Sequence, residues 1–285
     1  MIIDTHVHVV AGENPRYPWK PRSVGVAGVS SDWHKHGDHT AEALLALTKK
    51  AGVERLVLVQ ALTAYSDDNS CAADSHAKHR DATTSVGVVD VTQGDASARL
   101  RYWVKERGVR GVRLLGVGDE DAAWLDDART YPVWEEAQSL GVPVTVLTGP
   151  RHLGRVERMA QRYPKVAVAL DHMGFPMLKD GLAGPGGEAL LGLAKLPNIY
   201  LKFSTMTLDT ARAAGVAPAE VLRKVFAAFG AKRMLWGSNY PATQDRPYAK
   251  MVEEMQEALA FLPARDREMA FGESALALWP ELGGK

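Results

Sequence analysis

The chain begins with Met1-Ile2-Ile3-Asp4-Thr5-His6-Val7-His8, an aliphatic run that becomes polar at its end. Seven further short runs of β-branched and aliphatic residues follow it, each bounded by Gly, Pro, Asp or Asn. Such runs are typical of strands buried on both faces of a parallel sheet. We therefore predict eight strands, at Met1–Val10, Arg55–Gln60, Thr84–Asp90, Val109–Leu115, Val142–Leu147, Val166–Leu170, Ile199–Phe203 and Met234–Trp236.

Longer amphipathic stretches separate these runs and carry apolar residues at three- and four-residue spacing. They predict helices at Thr40–Ala51, Ala96–Arg107, Tyr131–Leu140, Leu153–Tyr163, Ala217–Phe229 and Pro247–Leu262. The alternation predicts an α/β fold, and eight strands favour a closed (β/α)8 TIM barrel that forms one domain over residues 1–285. The rival is an open doubly wound sheet, but its glycine-rich phosphate-binding turn is missing after the first run.

Two connections are longer than the rest. Ala11–Asp38, rich in Pro, Gly, Trp and His, distorts the predicted barrel after its first strand, and Met177–Gly187 is a glycine-rich loop after the sixth. Both follow the carboxyl ends of strands, where barrel enzymes build their sites. We therefore expect functional roles for both loops.

The composition is that of a balanced globular chain. The 34 Lys and Arg residues match 34 Asp and Glu residues, and 46% of the residues are hydrophobic. These values exclude a disordered chain and give no support for nucleic-acid binding. The single cysteine, Cys71, excludes an intrachain disulfide and a multi-cysteine zinc site, and we predict a buried, inert thiol.

No signal-like start and no run of about 18 apolar residues is visible, so we expect a cytoplasmic protein that binds no membrane. A small molecule is the expected partner, and a homo-oligomer stays open.

The last residues of the predicted strands point at one mouth of a barrel, and few of them suit an apolar core. They are His6, His8, Gln60, Asp90, Arg113, Thr148, His172, Ser204 and Asn239. Because residues i and i+2 of a strand share a face, His6 and His8 project into the mouth together. Two such imidazoles can chelate a metal or donate to an oxyanion, and the alternative is a pair of half-buried structural histidines.

His172 is the second candidate, since Gly174 permits a sharp turn that leaves the ring at the mouth. Its alternative role is to orient another group. Asp171, one residue earlier, is expected to face away toward the helices as a structural acceptor. Arg113 suits a substrate carboxylate or carbonyl oxygen, or else an ion pair with a barrel carboxylate such as Asp90.

Asn239 presents an amide that cannot take a proton at neutral pH, and a turn-forming asparagine is the alternative. The first loop carries three more histidines around Trp33, for which a substrate-capping role competes with simple solvation. They are His34, His36 and His39. His76 and His79 are expected at the surface.

In this order the motifs resemble the amidohydrolase-related family of TIM-barrel hydrolases, and in particular its lactonase-like branch, over nearly the whole chain. The motifs are Asp4-Thr-His-Val-His8, Gly111-Val-Arg113, Gly149-Pro-Arg-His-Leu153, Leu170-Asp-His-Met-Gly174, Met234-Leu-Trp-Gly-Ser-Asn-Tyr-Pro241 and Phe271-Gly-Glu-Ser-Ala-Leu-Ala-Leu-Trp279. Carboxymuconate semialdehyde decarboxylases resemble the chain more distantly.

The resemblance implies that His6, His8 and His172 are active-site histidines. At Asn239 the family usually has an aspartate that serves as general base and metal ligand, and at Thr148 metal-dependent members usually have a histidine. The strand ends also lack the lysine that is often carbamylated in other amidohydrolases. We therefore expect no required cofactor, or a weakly held Zn²⁺ at His6 and His8, with His172 as a third ligand if a metal binds.

The implied activity is hydrolysis of a lactone, or of a similar ester or amide bond, in a small anionic or polyoxygenated substrate. His6, His8 and Arg113 would polarise the carbonyl and stabilise the oxyanion. His172 would accept the proton of the attacking water, which Asn239 positions. Further predicted substrate-binding residues are Thr148, Arg151, His152, Ser204 and Tyr240. Two alternatives stay open: a metal-dependent hydrolase or decarboxylase with a three-histidine site, and a non-catalytic barrel that binds a small molecule.

Overall fold

A computed structural model describes residues 1–20, 32–37, 39–117, 122–179 and 181–284. Its eight strands are parallel and hydrogen-bonded in chain order. They are β1 (Ile2–Val7), β2 (Val53–Val59), β3 (Thr83–Val88), β4 (Val112–Leu115), β5 (Val144–Leu147), β6 (Val168–Leu170), β7 (Ile199–Phe203) and β8 (Met234–Trp236). All eight predicted strands are present, with ends that differ by up to three residues, and the TIM-barrel prediction is confirmed.

The barrel closes between β1 and the residues that follow β8. Val7 forms a parallel bridge with Tyr240, and the Asn239 amide donates to the His6 carbonyl at 2.8 Å. Asp4 links β1 to the residues after β8, because one of its carboxylate oxygens accepts from the backbone amides of His6 (3.0 Å) and Ser238 (2.9 Å). The buried carboxylate thus joins the first strand to the last.

Eleven α-helices occur in the described residues. They are α1 (Ala41–Lys50), α2 (Leu62–Tyr65), α3 (Ser70–Lys78), α4 (Ala96–Lys105), α5 (Tyr131–Leu140), α6 (Leu153–Arg162), α7 (Pro185–Gly192), α8 (Thr205–Ala213), α9 (Pro218–Phe229), α10 (Tyr248–Ala258) and α11 (Ala264–Phe271). The six predicted helices are present. The other five were not predicted, because they are short or carry few large apolar residues.

The two long connections contain local structure. A 3-10 turn at Trp33–Lys35 lies in the first, where residues 21–31 and 38 fall outside the described residues. Helix α7 begins at Pro185 and so occupies the end of the predicted loop Met177–Gly187. Residue 180 of that loop also lies outside the described part.

The apolar core has two parts. The larger fills the space between the strands and the surrounding helices, as in other barrels. The smaller lies inside the barrel, where Ile3, Val57 and Leu235 pack against Trp279 and Leu282 of the carboxyl-terminal segment. The indole of Trp279 donates to the carbonyl of Arg110, just before β4, so this segment closes the amino-terminal end of the barrel.

Two single-residue predictions have clear outcomes. Cys71 is buried as predicted, and burial raises the pKa of its thiol to about 11. The surface prediction for His76 is wrong, because its ring is buried and lies 3.3 Å from the hydroxyl of Thr83. Helix α3 turns this ring toward β3, whereas His79 is partly exposed beside Glu42. No helix in the described ranges is long and apolar enough to span a membrane.

Candidate active site

One pocket opens at the carboxyl ends of the strands, where the sequence predicted the mouth. It brings together four of the predicted residues: His8, Arg113, His172 and Asn239. The other lining residues are Trp33, Leu62, Thr63, Leu147, Phe175, Met206 and Ala242. Imidazoles and a guanidinium therefore face a mostly apolar wall, which is the usual composition of a small-molecule site.

The orientation of His8 is fixed by one hydrogen bond. Its Nδ1 lies 2.9 Å from the carbonyl oxygen of Val59, which only accepts, so Nδ1 carries the proton. Burial and the nearby charge of Arg113 lower the pKa of His8 to about 3. The ring is neutral near pH 7, and its lone pair is on Nε2. In this tautomer the N–H of His8 is already bonded to Val59, which favours an acceptor role for Nε2; the predicted role as an oxyanion donor stays a prediction.

His6 lies behind the pocket rather than in its lining. Its Nε2 is 3.5 Å from Nη2 of Arg113, and its ring centroid is 5.0 Å from that of His8 and 4.9 Å from that of His172. Burial lowers its pKa well below the usual value, although Asp171 opposes this. A neutral His6 that accepts from Arg113 would orient the guanidinium.

His172 sits on a strained turn. The φ angles of His172, Met173, Gly174 and Phe175 are 50°, 55°, 70° and 50°, a left-handed run just after β6. Each non-glycine residue in this region costs roughly 1–2 kcal/mol, and such strain concentrates at functional sites. A glycine suits position 174, because its φ is 70° and a Cβ there would lie 2.9 Å from Leu153 Cδ2. Burial lowers the pKa of His172 to about 4, which leaves it neutral at pH 7.

The prediction that Asp171 faces the helices is wrong. Strand alternation ends at Leu170, and the turn that follows sends both Asp171 and His172 inward. Asp171 Oδ2 accepts from Nε of Arg113 at 2.7 Å, so the ion-pair alternative for Arg113 holds with Asp171 rather than Asp90. Arg113 also lines the pocket, so it contacts the carboxylate of Asp171 and is accessible to a ligand in the pocket.

Lys202 is a buried charge that the sequence analysis missed. Its Nζ lies 3.3 Å from Oδ1 of Asp171, and His6 Nδ1 lies 3.3 Å from the same oxygen, without hydrogen-bond geometry in either case. The neighbouring cations Lys202 and Arg113 hold the pKa of Asp171 well below its usual value, despite complete burial. A lysine in the otherwise apolar run Ile199–Phe203 was the available signal.

Asn239 adopts a left-handed conformation, with φ of 61°. Its amide nitrogen donates to Oγ1 of Thr243 at 2.9 Å, and its side chain also lines the pocket. Gly237 lets the backbone before Asn239 lie close to β1, because a Cβ at position 237 would lie 2.7 Å from Cβ of His6. The amide is therefore both a turn residue and a group that a ligand can contact.

Five predicted substrate-binding residues lie outside this lining: Thr148, Arg151, His152, Ser204 and Tyr240. Arg151 is exposed, and Thr148 and Ser204 are buried with hydroxyls that make no hydrogen bond within the described residues. Their substrate-binding roles stay predictions.

The first loop contributes Trp33, whose ring centroid is 5.4 Å from that of His8. His34 and His39 are buried beside this indole, whereas His36 is exposed. The solvation alternative therefore does not hold for two of the three, because Trp33 and its neighbours cover them.

The three histidines do not fit a metal centre in this arrangement. The guanidinium of Arg113 occupies the side of His6 where Nε2 has its lone pair, and the ammonium of Lys202 adds a second cation nearby. Asn239 supplies no carboxylate to balance a divalent ion. Across the described part of the chain, no group of three or more His, Cys, Asp or Glu side chains is arranged to hold a metal ion.

The sequence model of the amidohydrolase family matches residues 3–280 of the chain. The chain belongs to the amidohydrolase family. L-fucono-1,5-lactonase from Burkholderia ambifaria is 28% identical over 245 residues, which are 85% of this chain and 81% of the relative. D-galactarolactone isomerase from Agrobacterium fabrum is 24% identical over 284 residues, which are 96% of this chain and 90% of the relative.

A solved amidohydrolase structure from Burkholderia multivorans, with bound zinc, has a TM-score of 0.79 and 23% identity, and the match covers 98% of this chain and 99% of that one. This similarity concerns the fold. The family and the lactonase-like resemblance predicted from the motifs are confirmed.

Proposed function

We propose that this amidohydrolase hydrolyses the ring ester of a small lactone. The proposal rests on one observation: the same pocket is lined by a guanidinium donor, Arg113, and by the neutral imidazoles of His8 and His172. Acyl transfer to water needs a donor for the carbonyl oxygen and a lone pair for the water proton. The lactone named in the relative L-fucono-1,5-lactonase supports the choice of bond.

The reaction begins with the substrate carbonyl oxygen on the Nη groups of Arg113. A water between His172 and His8 attacks the carbonyl carbon, and His172 takes its proton. Negative charge develops on the carbonyl oxygen, which the guanidinium stabilises. The tetrahedral intermediate then expels the ring oxygen, which receives the proton back from His172. The product is the open hydroxy acid.

His8 and Asn239 position the water in this scheme. The lone pair on Nε2 of His8 can accept the second hydrogen of the water, because Nδ1 is held by Val59. Asn239 lines the same part of the pocket and cannot act as a base. A proton acceptor with a pKa of about 4 keeps its lone pair across neutral pH but is a weaker base than an ordinary histidine.

The pocket favours a polyoxygenated lactone over one that carries several carboxylates. Arg113 is the single lysine or arginine that lines it within the described ranges. On the apolar wall, Thr63 has a buried hydroxyl that makes no hydrogen bond in the described part of the chain. A substrate hydroxyl would satisfy it, since an unpaired buried hydroxyl costs about 1–3 kcal/mol.

The test is turnover on a panel of aldono-1,4- and 1,5-lactones, alkyl lactones and lactone dicarboxylates, with products identified by NMR. We expect the open hydroxy acid from a hydroxylated lactone. A rearranged lactone without ring opening would instead indicate isomerisation, the activity named for the Agrobacterium relative. Binding without turnover across the panel would favour a non-catalytic barrel and overturn the proposal.

We also propose a cytoplasmic site of action, a small molecule as the only partner required for activity, and no required metal. A single buried cysteine fits a reducing compartment. Fractionation of cells that express the tagged chain tests the location.

A further inference from the structure

We propose that Lys202 is a positioning residue that holds Asp171 so that the Nη edge of Arg113 faces the substrate. The inference rests on the proposed function, in which Arg113 receives the carbonyl oxygen. Lys202 lies on β7, within the barrel, and its side chain is almost fully buried beneath the site. It does not line the pocket, so it acts through another residue.

The two carboxylate oxygens of Asp171 lie next to different cations. Oδ2 accepts from Nε of Arg113 at 2.7 Å, whereas Oδ1 lies 3.3 Å from Nζ of Lys202. Arginine and carboxylate frequently pair through two parallel hydrogen bonds, which use an Nη group as well. Here Nη2 lies 3.5 Å from His6 instead, and the guanidinium lines the pocket. The ammonium competes for Oδ1 and prevents the two-bond pairing.

Asp171 is the carboxylate beside Lys202, and the neighbours of the lysine on β8 and in the carboxyl-terminal segment are apolar or aromatic. The partner of Lys202 in register on β8 is Leu235, and the ring of Trp279 lies 5.5 Å from Nζ. Nζ makes no hydrogen bond within the described residues. Without the ammonium, Asp171 keeps the guanidinium of Arg113 as its counter-ion, so a methionine of similar length can take the place of Lys202. The ammonium thus serves the orientation of Asp171.

The test compares Lys202→Met with Lys195→Met, which removes an exposed lysine paired with Glu157 on the outer surface. We expect kcat/KM of Lys202→Met to fall about 10- to 100-fold, the scale of one misplaced polar group. Lys195→Met should retain the parent value. Lys202→Gln serves if the methionine variant does not fold. Unchanged kcat/KM in a folded Lys202 variant would overturn the proposal.

A double-variant cycle separates positioning from a general structural effect. In an Asp171→Asn background, Lys202→Met should cause little further loss, because the carboxylate through which it acts is gone. Losses that multiply would show an independent role and contradict the proposal.

A crystal structure of Lys202→Met provides a result that does not depend on turnover. We expect an Nη group of Arg113 to move within hydrogen-bond distance of Oδ1 of Asp171. An unmoved guanidinium would overturn the proposal even if activity fell. If the parent protein hydrolyses no lactone, the proposed function fails, and this structural result still decides the role of Lys202.

Discussion

At the amino-terminal end of the barrel, Ile3, Val57 and Leu235 pack against Trp279 in a closed apolar plug, whereas the carboxyl-terminal end places neutral imidazoles and Arg113 around an open pocket. Both ends use the same strands, and a few residues separate Ile3 from His8 on β1 and its extension. The apolar end gains stability from burial. The polar end carries strained backbone and buried charge, which cost stability and supply chemistry.

The largest effect should come from the polar end. We expect His172→Ala to lower kcat by about 10²- to 10⁴-fold, the usual contribution of a general base. We expect a smaller effect on the free energy of unfolding than on kcat. Steady-state kinetics with the best lactone and urea denaturation measure the two effects. Robust turnover would remove His172 as the base and leave His8 as the candidate.

At the apolar, amino-terminal end of the barrel, Trp279→Ala should instead affect the free energy of unfolding more than kcat. Removal of a fully buried tryptophan costs about 3–5 kcal/mol of unfolding free energy. Urea denaturation followed by circular dichroism measures it. A loss below about 1 kcal/mol would show that the carboxyl-terminal segment does not stabilise the barrel end.

Arg113→Met tests the charge that links the two regions through Asp171. We expect kcat/KM to fall by roughly tenfold or more, because a charge-assisted contact contributes about 1.5–3 kcal/mol. Asp171 retains Lys202 as a counter-ion, so the variant should fold. If kcat/KM is unchanged while stability falls, Arg113 is a structural ion-pair partner only.

Stability should fall as the solution is acidified, because of the buried imidazoles. The pKa of His172 is about 4 when folded and about 6.5 when unfolded, so the unfolded chain takes up a proton first as pH falls. From pH 6.5 to 5 this linkage costs up to about 2 kcal/mol. His172→Gln should flatten the pH dependence of the unfolding free energy over this window. An identical slope in the variant would contradict a depressed pKa.

The smallest effect should follow chelation. Because the three histidines do not fit a metal centre here, prolonged dialysis against a chelator should leave activity within about twofold and the zinc content substoichiometric. Elemental analysis with parallel assays measures both. Stoichiometric metal whose removal abolishes turnover would show that the site rearranges around an ion.

Local sequence patterns predicted much of the site. The spacing of His6 and His8 placed both rings on one strand face, and the glycine after His172 indicated the turn at the mouth. Arg113 was placed inside by the same alternation. The pocket lining contains His8, His172 and Arg113, whose inward positions depend on geometry within one strand or one turn, whereas His6 lies behind that lining.

Other features depend on contacts between distant segments and had no local signal. Asp171 turns inward because the backbone leaves the strand at Leu170, and alternation no longer applies beyond that residue. Thr63 of α2 and Trp33 of the first loop reach the pocket. The composition of that loop predicted a functional role but not the position of the indole. The burial of His76 likewise depends on how α3 packs against β3.

The sequence by itself determined the order of strands and helices, the family and the histidines of the mouth, since strand period, turn residues and motif order are properties of neighbouring residues. Only the tertiary structure decided which atoms act. It joined Arg113 to Asp171 across 58 positions of the chain, bound the N–H of His8 to Val59, and placed Lys202 beneath both charges. The protonation and direction of each group depend on burial and on partners that come together only when the barrel closes.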